Sequence, residues 1–216
     1  MKILALEFSS PQRSVAVAGA AWEIVEIVEA GARATSALGM IDTALRQARL
    51  EREQIECLAI GLGPGSYSGI RSALALAQGW QLARGVKLLG LSSAEALAAQ
   101  ARAESMTGPV AIIIDAQRNE FYLADYQLDG SGWREVKPLR LASLAAVLEC
   151  EKSGQTLIGP EVTKWFPSGR IVFPRAETLA CLASGRTDFA PPEKLEPIYL
   201  RETKFVKAPP PLIVAS

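Results

Sequence analysis

The sequence predicts an α/β protein of two lobes, each following the same βββαβαβα order. Three observations predict it. Short apolar runs of strand length alternate with longer segments of helical spacing from the N-terminus to about Ser184. Their order begins again after the softer stretch Glu104-Ser-Met-Thr-Gly-Pro109. A glycine-dense turn joins one strand to one helix in the middle of the first half. Two similar halves imply a duplicated domain with a cleft between the lobes. The expected boundaries are 1–104 for the first lobe and 105–190 for the second, with 191–216 as a proline-rich strap over the surface.

In the first half, Lys2 to Phe8 reads as an apolar strand, Ser9 to Ser14 as a turn and Val15 to Val17 as the returning strand. Trp22 to Val28 is β-branched and partly alternating, which suits a third strand. Thr35 to Leu50 has helical spacing, with Leu38, Ile41, Leu45 and Ala48 on one face. Gly39 beside that stripe costs on the order of 1 kcal/mol relative to Ala, and a close helix crossing would explain it. Glu56 to Ile60 is the fourth strand, Ile70 to Ala83 the second helix and Val86 to Leu91 the fifth strand. Ser92-Ser-Ala-Glu95 has the form of a capping box opening a third helix to about Arg102.

The second half is a weaker copy. Val110 to Ile114 is a buried strand, Asp115 to Asn119 a turn, and Glu120 to Gln127 a second strand. Trp133 to Leu139 reads as a third strand broken by Pro138, and Ser143 caps a helix from Leu144 to Cys150. Thr156 to Ile158 and Ile171 to Phe173 are short strands with a helical turn near Val162 to Phe166 between them, and Glu177 to Ser184 is the last helix.

The junction Gly61-Leu-Gly-Pro-Gly-Ser-Tyr-Ser-Gly-Ile-Arg71 organises the rest. Gly61, Gly63, Gly65 and Gly69 permit positive φ and close approach, Pro64 fixes a bend, and Ser66 or Ser68 is placed to cap the helix. Two readings stand. Free N–H groups at a helix N-terminus can cradle a phosphate, or the glycines serve a tight packing turn. There is no Gly-Lys-Ser/Thr ending and no complete G-x-G-x-x-G, so the best-known phosphate loops are excluded. The following helix has Ile70, Leu74 and Ala77 on one face and Ala73, Leu76, Trp80 and Ala83 on another. Apolar residues nearly all round imply a second cover besides its own sheet, and Trp80 suits either a core or an interface anchor.

Composition narrows the chemistry. Lys plus Arg equals Asp plus Glu at 23 each, so no net positive field holds nucleic acid on its own. The start Met1-Lys-Ile-Leu-Ala-Leu-Glu7 has no signal-peptide pattern, and no stretch reaches membrane-spanning length. Cys57, Cys150 and Cys181 form no C-x-x-C, which leaves a soluble cytoplasmic protein as the expectation. The absence of histidine removes Ser-His, Cys-His and His-containing zinc sites, and no metal site is expected.

The chain resembles the TsaB (YeaZ) family. The resemblance runs from Lys2 to about Arg201, through Ile3-Leu-Ala-Leu-Glu-Phe-Ser9, the glycine turn with Arg71, Ile114-Asp-Ala-Gln-Arg-Asn-Glu-Phe-Tyr122 and Pro197-Ile-Tyr-Leu-Arg201. It departs from the family where the first strand commonly ends in Asp, here Glu7, and where a His-Ser pair usually stands, here Thr35-Ser36. The resemblance implies the duplicated ribonuclease-H-like fold of actin, Hsp70 and sugar kinases. It also implies a non-catalytic partner subunit for threonylcarbamoylation of the adenosine next to the anticodon in tRNAs. Such a subunit dimerises with the catalytic TsaD, which carries the ATP and metal; TsaE joins the complex, and tRNA is met only through it. This chain itself then needs no cofactor and has no catalytic residue. An ATP-dependent small-molecule kinase or glycopeptidase-like enzyme of the same fold is the alternative.

The family pairs through the two helices flanking the turn, here Thr35–Leu50 and Gly69–Arg84. The expected interface is Leu38, Ile41, Leu45, Ile70, Leu74, Ala77 and Trp80, completing a four-helix bundle with TsaD or, in isolation, with a second copy. On that reading Leu74→Glu breaks pairing and leaves the fold intact. Glu7, Asp115 and Arg118 are expected around the cleft, Glu7 at its mouth. Asp115 and Arg118 are either a pair gripping a ligand or parts of a hairpin turn. Arg71 in a first helical turn opposes the helix dipole and calls for an anion nearby, Glu7, Asp115 or a partner carboxylate.

Overall fold

The computed structural model describes residues 1–19, 23–31 and 36–201. Trp22, Thr35 and the prolines at 209–211, used above for a strand, a helix and the strap, lie outside the described residues.

Strand β1 (Ile3–Glu7) is the middle of a five-stranded sheet whose order is β3-β2-β1-β4-β5. It pairs antiparallel with β2 (Gln12–Ala18), which pairs antiparallel with β3 (Ile24–Ala30), and parallel with β4 (Cys57–Gly61), which pairs parallel with β5 (Lys87–Leu91). Every residue of β1 and β4 is buried, because both faces of this sheet are covered. Leu4 and Leu6 on one face meet Met40, Ile41 and Leu45 of helix α1 (Ala37–Gln47) and Ile70 and Leu74 of α2 (Tyr67–Arg84). The next residues along the strand face the other way, as the pleat requires.

That other face is lined by small residues, Ala5, Ala16, Ala18 and Ala59, and it receives Ala176, Leu179, Ala180 and Ala183. These belong to α5 (Ala176–Ser184), the last α-helix among the described residues. Alanine against alanine lets helix and sheet approach closely.

The second sheet repeats the topology with order β10-β9-β6-β7-β8. It contains β6 (Gly108–Asp115), β7 (Glu120–Leu128), β8 (Trp133–Ser143), β9 (Thr156–Gly159) and β10 (Arg170–Ile171). One face is covered by α4 (Leu144–Lys152) through Val147 and Cys150; the other receives Ala94, Leu97, Ala98 and Ala101 of α3 (Ser93–Ala103). Each half therefore lends its last helix to the other half's sheet, and α3 and α5 form a layer between the sheets. A cut at residue 104 separates the strands by sheet and divides both cores.

The inserted helices are fastened at their N-termini by groups from the first lobe. Arg175 supplies no side-chain cap to α5; Ala176 N–H donates to Ser14 Oγ at 2.7 Å and Glu177 N–H to Glu26 Oε1 at 3.1 Å. Arg175 also pairs with Glu26, whose side chain is 6% exposed. On α3 the expected Ser92 cap is absent, and Ser93 N–H instead donates to Gly63 O at 2.8 Å.

Several sequence-based bounds shift for physical reasons. β8 runs through Pro138 to Ser143, since it is an edge strand that the missing N–H does not cost, with a register irregularity opposite Leu123 and Asp125. The strand expected at Ile171–Phe173 is the two-residue β10. Gly39 lies in the first turn of α1, where its N–H donates to Ser36 Oγ at 3.2 Å, so the cost expected for a helix interior is not incurred there.

From Phe189 to Ile198 the chain lies beside β5 and α2. Ala190 N–H donates to Leu88 O at 3.0 Å, Ile198 N–H to Leu62 O at 2.9 Å, and Leu195 is buried in the first lobe's core.

The alanine-lined contact sets a test. Ala180→Leu forces bulk between α5 and the sheet and is expected to cost about 2–3 kcal/mol in urea unfolding. Ala145→Leu on the exposed side of α4 should change stability by about 0.5 kcal/mol or less.

Candidate functional site

The glycine turn runs from the end of β4 into α2 and lies directly on the end of β1. A Cβ on Gly65 would overlap Ser9 O, one on Gly69 would overlap Phe8 O, and one on Gly61 would overlap the Glu7 carboxylate. Gly63 and Gly65 also hold positive φ, 86° and 148°. Several of the turn's donors are used within the protein. Gly63 N–H donates to Ser93 Oγ at 3.2 Å, Ser66 N–H to Ser9 O at 2.7 Å, and Gly69 N–H to the capping Ser66 Oγ at 3.3 Å. The packing turn is therefore the arrangement present. Pro64 follows Gly63 in that closed loop, and the backbone of residues 8–9 occupies the space beside the glycines.

Glu7 is not at the cleft mouth. It is fully buried beneath the turn, where Oε1 accepts from Ser9 N–H at 2.8 Å and Oε2 from Ser93 Oγ–H at 2.9 Å. Burial pushes its carboxyl above the ordinary 4.5, opposed by the hydrogen bonds from Ser9 and Ser93. Glu7 thus joins β1, the turn and α3 in one polar knot. Cys57, on the neighbouring strand β4, has its thiol pushed up to about 11 by burial, which leaves it an inert core residue.

Arg71 lies over the Tyr67 ring at 5.3 Å, and none of the ion pairs among the described residues includes it. The ring face takes the place of the expected carboxylate. Asp115 and Arg118 do not pair. Asp115 Oδ1 accepts from Gln117 N–H at 2.7 Å, and Gln117, Arg118 and Asn119 all hold left-handed φ (62°, 58° and 60°), so both belong to the β6–β7 hairpin tip.

The cleft between the lobes holds two adjoining cavities. One of about 640 Å³ is lined by Tyr67, Asp115, Arg118, Tyr122, Tyr199 and Arg201 among others; the second, about 760 Å³, lies between Ser9, Ser66, Asp115 and Glu161. Tyr199 stacks on Tyr67 with centroids 5.5 Å apart. The sequence contained the signal for these residues in Pro197-Ile-Tyr-Leu-Arg201, without assigning them a place. Among the described residues no cluster of metal-ligating side chains is present.

The helix residues expected to face a partner are mostly turned inward. Ile41, Leu45, Ile70, Leu74 and Ala77 are 0–6% exposed in the first lobe's own core, since the sheet takes the most apolar stripe of each helix. Leu74→Glu would therefore disrupt the fold, contrary to the expectation above. Trp80 packs at the edge of that core, and Leu38 is 50% exposed. The outward side of α2 carries Ser68, Arg71, Ser72, Ala75, Gly79 and Leu82, with Leu82 87% exposed and open space around Gly79. On α1 Leu38 and Arg46 face outward.

Two sheets of ribonuclease-H-like topology in tandem, exchanging helices across a cleft, define the actin/Hsp70-type class, here with its glycine turn closed on its own first strand. The family model described as TsaD, tRNA N6-adenosine threonylcarbamoyltransferase, matches residues 30–190. The tRNA threonylcarbamoyladenosine biosynthesis protein TsaB of Escherichia coli (strain K12) is 30% identical over 76% of this chain and 78% of that relative. The TsaB of Buchnera aphidicola subsp. Baizongia pistaciae is 29% identical over 76% and 81%. The solved structure of YeaZ from Pseudomonas aeruginosa superposes with a TM-score of 0.75 at 26% identity, over 92% of this chain and 99% of that one. A second structure, of an uncharacterized protein with similarity to peptidase YeaZ from that organism, gives 0.78 at 26%, over 93% and 99%. The chain belongs to the TsaB (YeaZ) family.

The buried carboxyl and the closed turn each give a prediction. An acid with a raised folded-state value keeps its proton longer than the unfolded chain does, so its contribution is full below the unfolded value and is lost as pH rises through the folded one. Glu7→Gln should remove that loss, so its stability relative to the parent rises as the pH is raised above about 4.5 in urea unfolding. Gly69→Ala presses a methyl onto Phe8 O, with backbone on both sides, and should cost about 3 kcal/mol or more in the same measurement.

Proposed function

We propose that the chain acts as a non-catalytic partner subunit in the threonylcarbamoylation of tRNA at the adenosine next to the anticodon, by pairing with the catalytic TsaD. One observation carries the reading. The backbone at the end of β1 fills the space beside the glycines of the turn, while the outward side of α2 stands open. Family membership supports a role in this modification, since relatives are named for threonylcarbamoyladenosine biosynthesis and the family model for the transferase TsaD.

The contact differs from the one expected from the sequence. Ser68, Ser72, Ala75, Gly79 and Leu82 recur at helical spacing, so α2 offers a low ridge over which another helix fits closely, with Leu38 and Arg46 of α1 beside it. TsaD supplies the matching helices, and a second copy does so in isolation. Pairing of this kind removes roughly 1,600 Å² from water. ATP and metal reside on TsaD, TsaE joins the complex, tRNA is engaged through it, and this chain needs no cofactor.

The enzyme reading has one observation in its favour, the similarity to a peptidase stated for one solved relative. The chain contains no histidine, and Glu7 is sealed from the cleft. Calorimetric titration with Mg-ATP separates the two: heat of sub-micromolar binding to the chain alone would favour an enzyme.

Substitutions on the two sides of α2 test the contact. Gly79→Arg should weaken the complex with TsaD about 100-fold or more on size-exclusion chromatography and titration, with an unchanged melting curve, because it fills open space on the free chain. Leu74→Glu should lose the folded state itself. An unchanged complex with Gly79→Arg would remove α2 from the contact.

A further inference from the structure

The chain does not leave the first lobe at Ile198. Up to that residue it is held to the first lobe by Ala190, Leu195 and Ile198. Tyr199 then stacks on Tyr67, the first residue of α2, with an interplanar angle of 28°. Two residues on, Arg201 reaches the other lobe. Its guanidinium donates to Ala116 O at 3.0 Å, Gln117 O at 3.3 Å and Glu120 Oε2 at 2.5 Å. These acceptors lie on the left-handed tip of the β6–β7 hairpin, and Tyr67, Tyr199, Asp115 and Arg201 all line the same cavity. The last described residues therefore run from one lip of the cleft to the other, with the α3/α5 layer as the joint between the sheets.

We propose that this strap is a latch across the mouth of the cleft: Tyr199 on Tyr67 is the fixed end, Arg201 on the hairpin tip is the releasable end, and releasing Arg201 lets the lobes swing apart about the α3/α5 layer. The two ends differ in the way a latch requires. Tyr199 belongs to a segment with backbone bonds and a buried leucine behind it, so it stays with the first lobe. Arg201 is held by one partly solvated carboxylate and two carbonyls; its side chain is 30% exposed and that of Glu120 45%. Such a pair is worth little in water, and one terminal nitrogen, Nη2, serves all three acceptors, so the contact depends on the reach and charge of the side chain rather than on a two-pronged fork. The contact is modest in strength, as a releasable end requires. Because Tyr67 opens α2, the same latch also ties the start of that helix to the second lobe.

The full chain, in a Cys181→Ser background, is spin-labelled at Ser68→Cys on α2 and Thr163→Cys in the second lobe, both exposed, and diluted with unlabelled protein. The parent should give one narrow distance distribution. Arg201→Ala should shift it to longer distances and broaden it, and the Ala116 and Glu120 amides should exchange about tenfold faster, as expected for losing a charge-assisted contact. Arg201→Gln shortens the reach and removes the charge and should fall between. Tyr199→Phe keeps the ring stack and should match the parent. An unchanged distribution in Arg201→Ala overturns the proposal, as does faster exchange without a change of distance, which would make Arg201 a fastener of the hairpin alone. Should Arg201→Ala fail to fold, Arg201→Gln decides in the same way: longer distances support the latch and unchanged ones refute it.

Discussion

The contact on which the rest depends is backbone against backbone, where the glycine turn lies on Phe8 and Ser9 at the end of β1. No side chain fits between them, so Gly65 and Gly69 are fixed by sterics rather than by any ligand. The contact also determines the fate of Glu7. With the turn above it, the carboxyl is cut off from water and must be satisfied by Ser9 and Ser93. Ser93 begins α3, so one buried group aligns the central strand, the turn and the helix inserted between the sheets.

A protein built this way has given its phosphate-binding geometry to its own packing. The N–H groups of Ser66, Gly69 and Gly63 hold Ser9 O, Ser66 Oγ and Ser93 Oγ, and the backbone of residues 8–9 lies against the glycines. Meanwhile the helix that leaves the turn buries Ile70, Leu74 and Ala77 against its own sheet and turns Ser68, Ser72, Ala75 and Gly79 outward, with Arg71 and Leu82 among them. A low, closely approachable surface suits contact with another helix better than the grip of a small molecule.

Much of the architecture was legible in the sequence because strand and helix periodicities differ and because the two halves repeat them. Helix faces were harder. Ile41, Leu45, Ile70, Leu74 and Ala77 form stripes whose apolarity says that something covers them, and periodicity does not say whether that is the chain's own sheet or another protein. Small residues such as Ala75 and Gly79 carry little signal, though they make the open side. Glu7 looked like a cleft residue because strand ends commonly open to solvent; its burial follows from a tertiary contact with residues 61–69. The exchange of α3 and α5 was likewise invisible, since each helix has the same pattern whichever sheet it meets. Arg201 and Tyr199 were present as a motif, and their meaning depended on a hairpin some eighty residues earlier.

The seating of α5 on the first sheet bears on how the molecule is made. A ribosome releases the N-terminal strands first, and they can pair and bury one face under α1 and α2 as soon as those emerge. Their alanine-lined face has no cover until residues 176–183 have been translated. A nascent first half is therefore an unfinished object with an apolar side open until α5 has emerged.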